Sequence, residues 1–161
     1  MNTENIENDK FQEEAIAPMH TAEHLLNRTM VNKFGCERSR NAHIERKKSK
    51  ITYTLPTCPS EAELEEVVTT MNRLIEADLP THYEYCSREN LPKNVSLQRL
   101  PPDAASNSKI RLVHIGDYDV CPCIGLHVSH TGALGKFILL GTNWDEEKHT
   151  FRIRFKLNAI E

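Results

Sequence analysis

The sequence predicts an α+β fold, a mainly antiparallel sheet packed against two principal helices. Three observations carry that expectation. Leu25, Leu26, Met30 and Phe34 recur at helical spacing after Pro18, and Leu64, Val67, Val68, Met71, Leu74 and Ile75 form a second stripe of the same period. Near the C-terminus, Phe151, Ile153, Phe155 and Leu157 alternate strictly with Arg152, Arg154 and Lys156, the mark of a half-buried strand. A chain of 161 residues is one ordinary domain. Such a chain buries about two-thirds of its unfolded surface without disulfide staples.

In chain order, residues 1–17 form an acidic leader. Glu4, Glu7, Asp9, Glu13 and Glu14 face Lys10 alone, so the leader carries minus four of a formal total of minus three and leaves the body, residues 18–161, at plus one. The overall acidity therefore does not exclude a polyanionic partner. The leader is expected to be frayed or loosely helical, and it lacks the basic and apolar regions of a signal peptide. No run of eighteen apolar residues occurs, so the expectation is a cytoplasmic protein with no membrane partner. Five cysteines, an odd number, fit reduced thiols and metal ligation better than a secreted disulfide framework.

Pro18 suits the start of the first helix, and Gly35 supplies a left-handed cap at its end. Between residues 41 and 55, Ile44, Ile51, Tyr53 and Leu55 alternate with polar residues, which predicts a strand pair with a basic connection at Lys47, Lys48, Ser49 and Lys50. Ser60 and Glu63 have the spacing of a capping box that opens the second helix, and Asp78-Leu79-Pro80 ends it. Residues 81–86 and 110–115 read as strands, and 101–108 as a connector by composition. Residues 136–140 and 150–157 complete the sheet. There is no internal repeat and no Gly-rich phosphate loop, so no nucleotide cofactor is expected.

The chemistry is concentrated in two short stretches. His20 and His24 lie four residues apart on the first helix, so their imidazoles can converge beside one turn. About a hundred residues later, Cys123 and His127 repeat the spacing in a turn that contains Gly125. Each pair alone has an ordinary explanation, a core histidine pair or a small buried thiol. Together, three imidazoles and a thiolate suit zinc, which takes both in a near-tetrahedral shell. Cys121 is expected outside that shell.

The run His20-Thr21-Ala22-Glu23-His24-Leu25-Leu26, with Cys123-Ile124-Gly125-Leu126-His127-Val128 and the Thr131-Gly132-Ala133-Leu134-Gly135-Lys136-Phe137 that follows, resembles the editing domain of alanyl-tRNA synthetase and its free-standing AlaX relatives of the short type. The resemblance covers most of the chain from Met19 onward. It implies the common-domain fold of threonyl- and alanyl-tRNA synthetases (ThrRS/AlaRS) over residues 18–161, with Zn2+ held by His20, His24, Cys123 and His127. It also implies hydrolysis of mischarged tRNA(Ala), most typically Ser-tRNA(Ala), presented at its acceptor end. Departures at Cys121, Ile124, Leu126 and Glu23 leave those ligands intact and change the surroundings of the amino-acid pocket.

Around the ligands, Glu23 is the candidate base, although it lies about 100° around the helix from His24; a water on the metal is the alternative. Thr21 and Thr131 are the hydroxyls expected to meet substrate, and His130 is expected to be a satisfied loop residue. Within the basic stretch 38–50, Lys47, Lys48 and Lys50 are candidate contacts to an RNA backbone, beside the bland reading of a solvated turn. Four protein ligands make a closed shell, which usually marks a structural zinc. Two further functions therefore stay open, a zinc-structured RNA-binding module without catalysis and a small-molecule hydrolase on the same fold.

Overall fold

The computed structural model describes residues 10–92 and 109–158. The first nine residues of the leader and the connector at 101–108 lie outside them; of the short helix the sequence predicts over 88–100, interrupted at Pro92, residues 88–90 form a 3-10 turn and those after Pro92 lie outside the described residues.

Helix α1 (Ala17–Phe34) starts at Pro18 and stops where Gly35 takes φ 67°, its N–H donating to the Val31 carbonyl at 2.9 Å. A residue with a Cβ pays a steric penalty in that conformation. Unlike an ordinary amphipathic helix, α1 buries nearly every side chain through Met30, among them the polar His20, Thr21, Glu23, His24 and Asn27. A helix wrapped on all sides can carry a buried site on one face and core on another. Helix α2 (Glu61–Glu76) opens with the expected capping box: the Glu63 N–H donates to Ser60 Oγ at 3.1 Å and the Ser60 N–H to Glu63 Oε1 at 2.9 Å. It buries Val67, Met71 and Ile75.

The strands are β1 (Asn41–His43), β2 (Ser49–Thr54), β3 (Thr81–Cys86), β4 (Ile110–Ile115), β5 (Asp119–Pro122), β6 (Lys136–Asp145) and β7 (Thr150–Asn158). All pairings are antiparallel, but the strands divide into two sheets rather than one, of order β1-β2-β7-β6 and β3-β4-β5. The inner face of the larger sheet, with Ile51, Tyr53, Phe137, Phe151, Ile153 and Phe155, meets Leu25, Leu26 and Met30 of α1 and Val67, Met71 and Ile75 of α2. Each such side chain contributes about 1.5–3 kcal/mol by leaving water. Ile115 brings the smaller sheet into the same core. Leu140 is extra to the β6–β7 register, a bulge between Leu139 and Gly141.

Ser49 and Lys50 belong to β2 rather than to the turn. The buried Ser49 hydroxyl accepts from the Glu45 N–H and donates to the Glu45 carbonyl, each at 3.1 Å, and so closes the connection. Part of the leader is folded rather than frayed. Residues 14–16 form a 3-10 turn that runs into α1, Ile16 is buried, and Lys10 pairs with Glu45 at 2.8 Å.

Candidate metal centre

The fold brings His20 and His24 of α1 together with Cys123 and His127 of the turn after β5, and their ligand atoms all lie within 4.8 Å of one another. The rings of His20 and His127 stack at 4.2 Å between centroids, and His24 stands edge-on to both. Cys123 Sγ is 3.3 Å from His20 Nε2.

What each ring does with its other nitrogen decides the chemistry. His20 Nδ1 faces the Leu126 carbonyl at 3.1 Å; a carbonyl only accepts, so Nδ1 is the donor there and Nε2 is the nitrogen turned to Cys123. His24 Nδ1 faces the Asp119 carboxylate at 3.6 Å, and His127 Nδ1 lies 2.9 Å from Thr21 Oγ1. Nε2 of His127 and both ring nitrogens of His24 are buried and have no hydrogen-bond partner, Asp119 facing His24 Nδ1 only at ion-pair distance. Buried polar atoms left without partners are expensive, and here the two Nε2 atoms point at a common centre beside a thiol. Two imidazoles hydrogen-bonded through Nδ1, and a third with a carboxylate facing its Nδ1, are the kind of arrangement a metal requires of its ligands and their supports. The donor set, three imidazole nitrogens and one thiolate sulfur, fits zinc.

Electrostatics point the same way. Burial alone pushes the Cys123 thiol up, but the imidazoles of His127, His20 and His24 gathered around it outweigh that and hold the thiol well below its usual range. Burial would strip the proton from His24, yet Asp119 and the Cys123 thiolate raise it to about 10. Burial and the charge of His24 push His127 down to about 3. A cation taken up beside that thiolate would displace a proton from His24.

The surrounding chain is built to keep this geometry. Asp119 is buried, and Arg28 Nε (2.9 Å) and Arg38 Nη1 (2.8 Å) both donate to its Oδ1. Arg38 therefore braces Asp119 and, through it, His24, which removes it from the expected phosphate-binding stretch. Arg111 donates from Nε to the Cys123 carbonyl and from Nη2 to the Gly125 carbonyl, both at 2.6 Å. The Phe11 carbonyl accepts from the Leu126 N–H at 2.8 Å, Gln12 Nε2 donates to the Ile124 carbonyl at 2.8 Å, and the Phe11 ring lies 4.6 Å from that of His20. At Gly125 a Cβ would fall 2.4 Å from His20 Cε1, so the turn lies against the ring only because the residue is glycine.

Other expected site residues fall in different places. Thr21 has no exposed surface, and its hydroxyl serves His127 and accepts from the Val128 N–H at 3.2 Å, so it positions a ligand instead of meeting substrate. Thr131 is also fully buried, donating to the Leu74 carbonyl (2.7 Å) and accepting from the Leu79 N–H (2.8 Å); both bonds tie the chain to the end of α2 and withdraw it from the substrate set. Glu23 is buried and lies outside the four-ligand group. His130 pairs with Asp78, and Cys121 Sγ donates to the Pro122 carbonyl at 3.5 Å, outside the cluster. Lys47 and Lys48 are exposed, and Lys50 stands opposite His43 on β1 and Arg154 on β7. Asp119, Arg28, Arg111, Phe11 and Gln12 carried no signal in the sequence, because their roles exist only through partners distant in the chain.

The threonyl and alanyl tRNA synthetase second additional domain matches residues 110–154, the stretch with Cys123 and His127. The alanine–tRNA ligase of Treponema denticola is 32% identical over 127 residues, 74% of this chain and 20% of that protein. The alanyl-tRNA editing protein AlaX-L of Pyrococcus horikoshii is 31% identical over 140 residues, 85% of this chain and 32% of that protein. The chain is a relative of the alanyl-tRNA synthetases and AlaX proteins. It spans a third or less of the length of these two. Its two helices and antiparallel sheets form the α+β fold expected of their common domain. The likeness is not confined to one lineage, since the alanine–tRNA ligase of Methylacidiphilum infernorum is 31% identical over 83% of this chain and 14% of that protein.

Proposed function

We propose that this protein is a zinc-dependent hydrolase that removes a wrongly attached amino acid, serine above all, from tRNA(Ala). The observation that carries the reading is the convergence of three imidazoles and one thiol, with His20 and His127 hydrogen-bonded through Nδ1, in a chain related to alanyl-tRNA synthetases and an alanyl-tRNA editing protein. His20, His24, Cys123 and His127 would hold the zinc. When bound, zinc lowers the pKa of a water and polarises an ester carbonyl.

The chain's own residues supply the rest. Asp119 and Thr21 keep His24 and His127 oriented, and Gly125 lets the turn approach His20. Glu23, buried on the same helical turn as His24, is the carboxylate that would handle the proton of the attacking water. Hydrolysis requires one of the four ligands to yield or the shell to expand. Lys47, Lys48 and Lys50 would meet the backbone of the acceptor stem, and such a substrate sets the protein in the cytoplasm. No helix among the described residues is long and apolar enough to cross a membrane. The editing unit would include Phe11 and Gln12 together with residues 18–161, since both contact the metal turn.

One observation favours a second reading. Four protein side chains are enough to fill a tetrahedral shell, as in a zinc-structured RNA-binding module. Deacylation rates on Ser-, Gly- and Ala-charged tRNA(Ala), for zinc-loaded and chelated protein, with simple esters alongside, separate the possibilities. The expected result is zinc-dependent hydrolysis fastest on Ser-tRNA(Ala). No rate on any charged tRNA from a folded, zinc-loaded sample transfers the assignment to the non-catalytic module, and turnover of the simple esters alone transfers it to a small-molecule hydrolase.

A further inference from the structure

Four large apolar side chains are exposed among the described residues, Tyr83, Tyr85, Ile124 and Leu140, and the first three gather around Arg111. β3 is the outer strand of the smaller sheet, and Tyr83 and Tyr85, two residues apart, share one of its faces. Arg111 lies opposite Tyr85 in the β3–β4 register, and its guanidinium carbon is 4.5 Å from the centroid of the Tyr83 ring. The same guanidinium holds the carbonyls of Cys123 and Gly125, and Ile124 is the residue between them. By register, Asp119 and Cys121 stand on the same sheet face as the tyrosines, and Asp119 reaches His24. The aromatic pair therefore lies on the metal side of the sheet, one side chain from a metal-ligand turn.

Outer strands are ordinarily blunted with charge, whereas this one presents two rings, 42% and 63% exposed. We propose that Tyr83, Tyr85, Arg111 and Ile124 form a stacking platform for the unpaired bases at the 3′ end of an RNA. The inference rests on reading the centre as an aminoacyl-tRNA hydrolase. An ester on the terminal ribose brings that nucleotide's base within one nucleotide of the reacting carbonyl, so a centre that receives the ester must also accommodate the base. Aromatic faces accept any base, and Arg111 against one face of Tyr83 leaves the other face for stacking and adds a cation. Arg111 then links the platform physically to the Cys123 turn. Ile124, half exposed, supplies an apolar edge to the same surface.

The test is fluorescence anisotropy with an uncharged hairpin RNA that ends in four unpaired nucleotides. Tyr83→Ala and Tyr85→Ala are each expected to weaken binding roughly 5- to 100-fold, with Tyr→Phe at either site within about twofold of wild type. An RNA with abasic sites at its last two positions should bind the wild type as weakly as the intact RNA binds the Ala variants, with no further loss in those variants. Wild-type affinity in the Ala variants overturns the inference, and so does an equal loss with abasic RNA. A lowered melting temperature with unchanged binding assigns the rings to packing instead. A wild-type dimer, seen by sedimentation and dissolved by Tyr85→Ala with RNA affinity unchanged, assigns the face to a second copy of this chain. The RNA is uncharged, so the outcome is independent of hydrolysis. A protein that deacylates Ser-tRNA(Ala) but binds RNA without regard to Tyr83 and Tyr85 keeps the proposed function and loses the platform.

Discussion

A single hydroxyl and a missing methyl hold much of the metal centre in place. Thr21 Oγ1 is the polar partner of His127 Nδ1, and a valine there keeps the shape but leaves the nitrogen unsupported. Supports of this kind are worth about 10- to 100-fold in metal affinity. Thr21→Val is expected to lose that much zinc affinity by chelator competition, while Thr21→Ser, which keeps the oxygen, loses little. At Gly125 the objection is steric, since an added Cβ 2.4 Å from His20 Cε1 must displace either the ring or the turn. The turn is held by Arg111 and by the backbone and side-chain bonds from residues 11 and 12, so the ring is what gives way. Gly125→Ala should therefore bind zinc at least about tenfold more weakly with the rest of the fold retained, as circular dichroism and a zinc titration would show.

At the scale of the element, β7 carries two opposite jobs on alternate residues. Phe155 is fully buried against Phe137, 5.0 Å between centroids, whereas the neighbouring Arg154 is exposed. Removing a buried phenyl group leaves a cavity that costs about 3–5 kcal/mol, a large share of the roughly 5–15 kcal/mol that holds a typical domain together. Phe155→Ala is expected to lower the unfolding midpoint in urea sharply, and Arg154→Ala to change it little. α1 departs from such simple division. Its pattern of Leu25, Leu26 and Met30 reads as an ordinary core stripe, but its other flank buries His20, Thr21, Glu23 and His24 in the metal centre.

Across the whole molecule, register joins two basic segments a hundred residues apart. His43, Lys50 and Arg154 lie in a row over three strands and, with Lys48, line a cavity of about 420 Å³ on the outside of the larger sheet. Like charges placed directly opposite destabilise a sheet by about 0.2–1 kcal/mol per pair. On the proposed function this row would face an RNA backbone. Lys50→Glu should thus raise thermal stability slightly while weakening tRNA binding and reducing the slope of log affinity against log salt by about one. An unchanged salt slope would reduce the row to surface charge. The cavity includes Glu45, which pairs with Lys10, and the next residue, Phe11, rests on His20, so the basic row and the metal centre share a border.

Local patterns were sufficient for much of this. Helical spacing, the Ser60–Glu63 capping box, Gly35 and the alternation of β7 foretold the two helices and the closing strand, because each depends on residues within a few positions of one another. The two four-residue spacings likewise pointed to the four side chains that the fold gathers within 4.8 Å of one another, since a short stretch of chain already keeps the members of each pair close. The division into two sheets, the bracing of His24 by Asp119 with Arg28 and Arg38, and the hold of Arg111 on the Cys123 turn were decided only by tertiary structure. Thr21 and Thr131 were placed as substrate groups by their closeness to the motifs, yet a buried hydroxyl goes to whichever acceptor or donor the packing presents. The pairing of β2 with β7 and the partnership of Thr21 with His127 join residues roughly a hundred positions apart, and the physics that selects them, burial of apolar faces and satisfaction of enclosed polar groups, acts only once the chain has closed on itself.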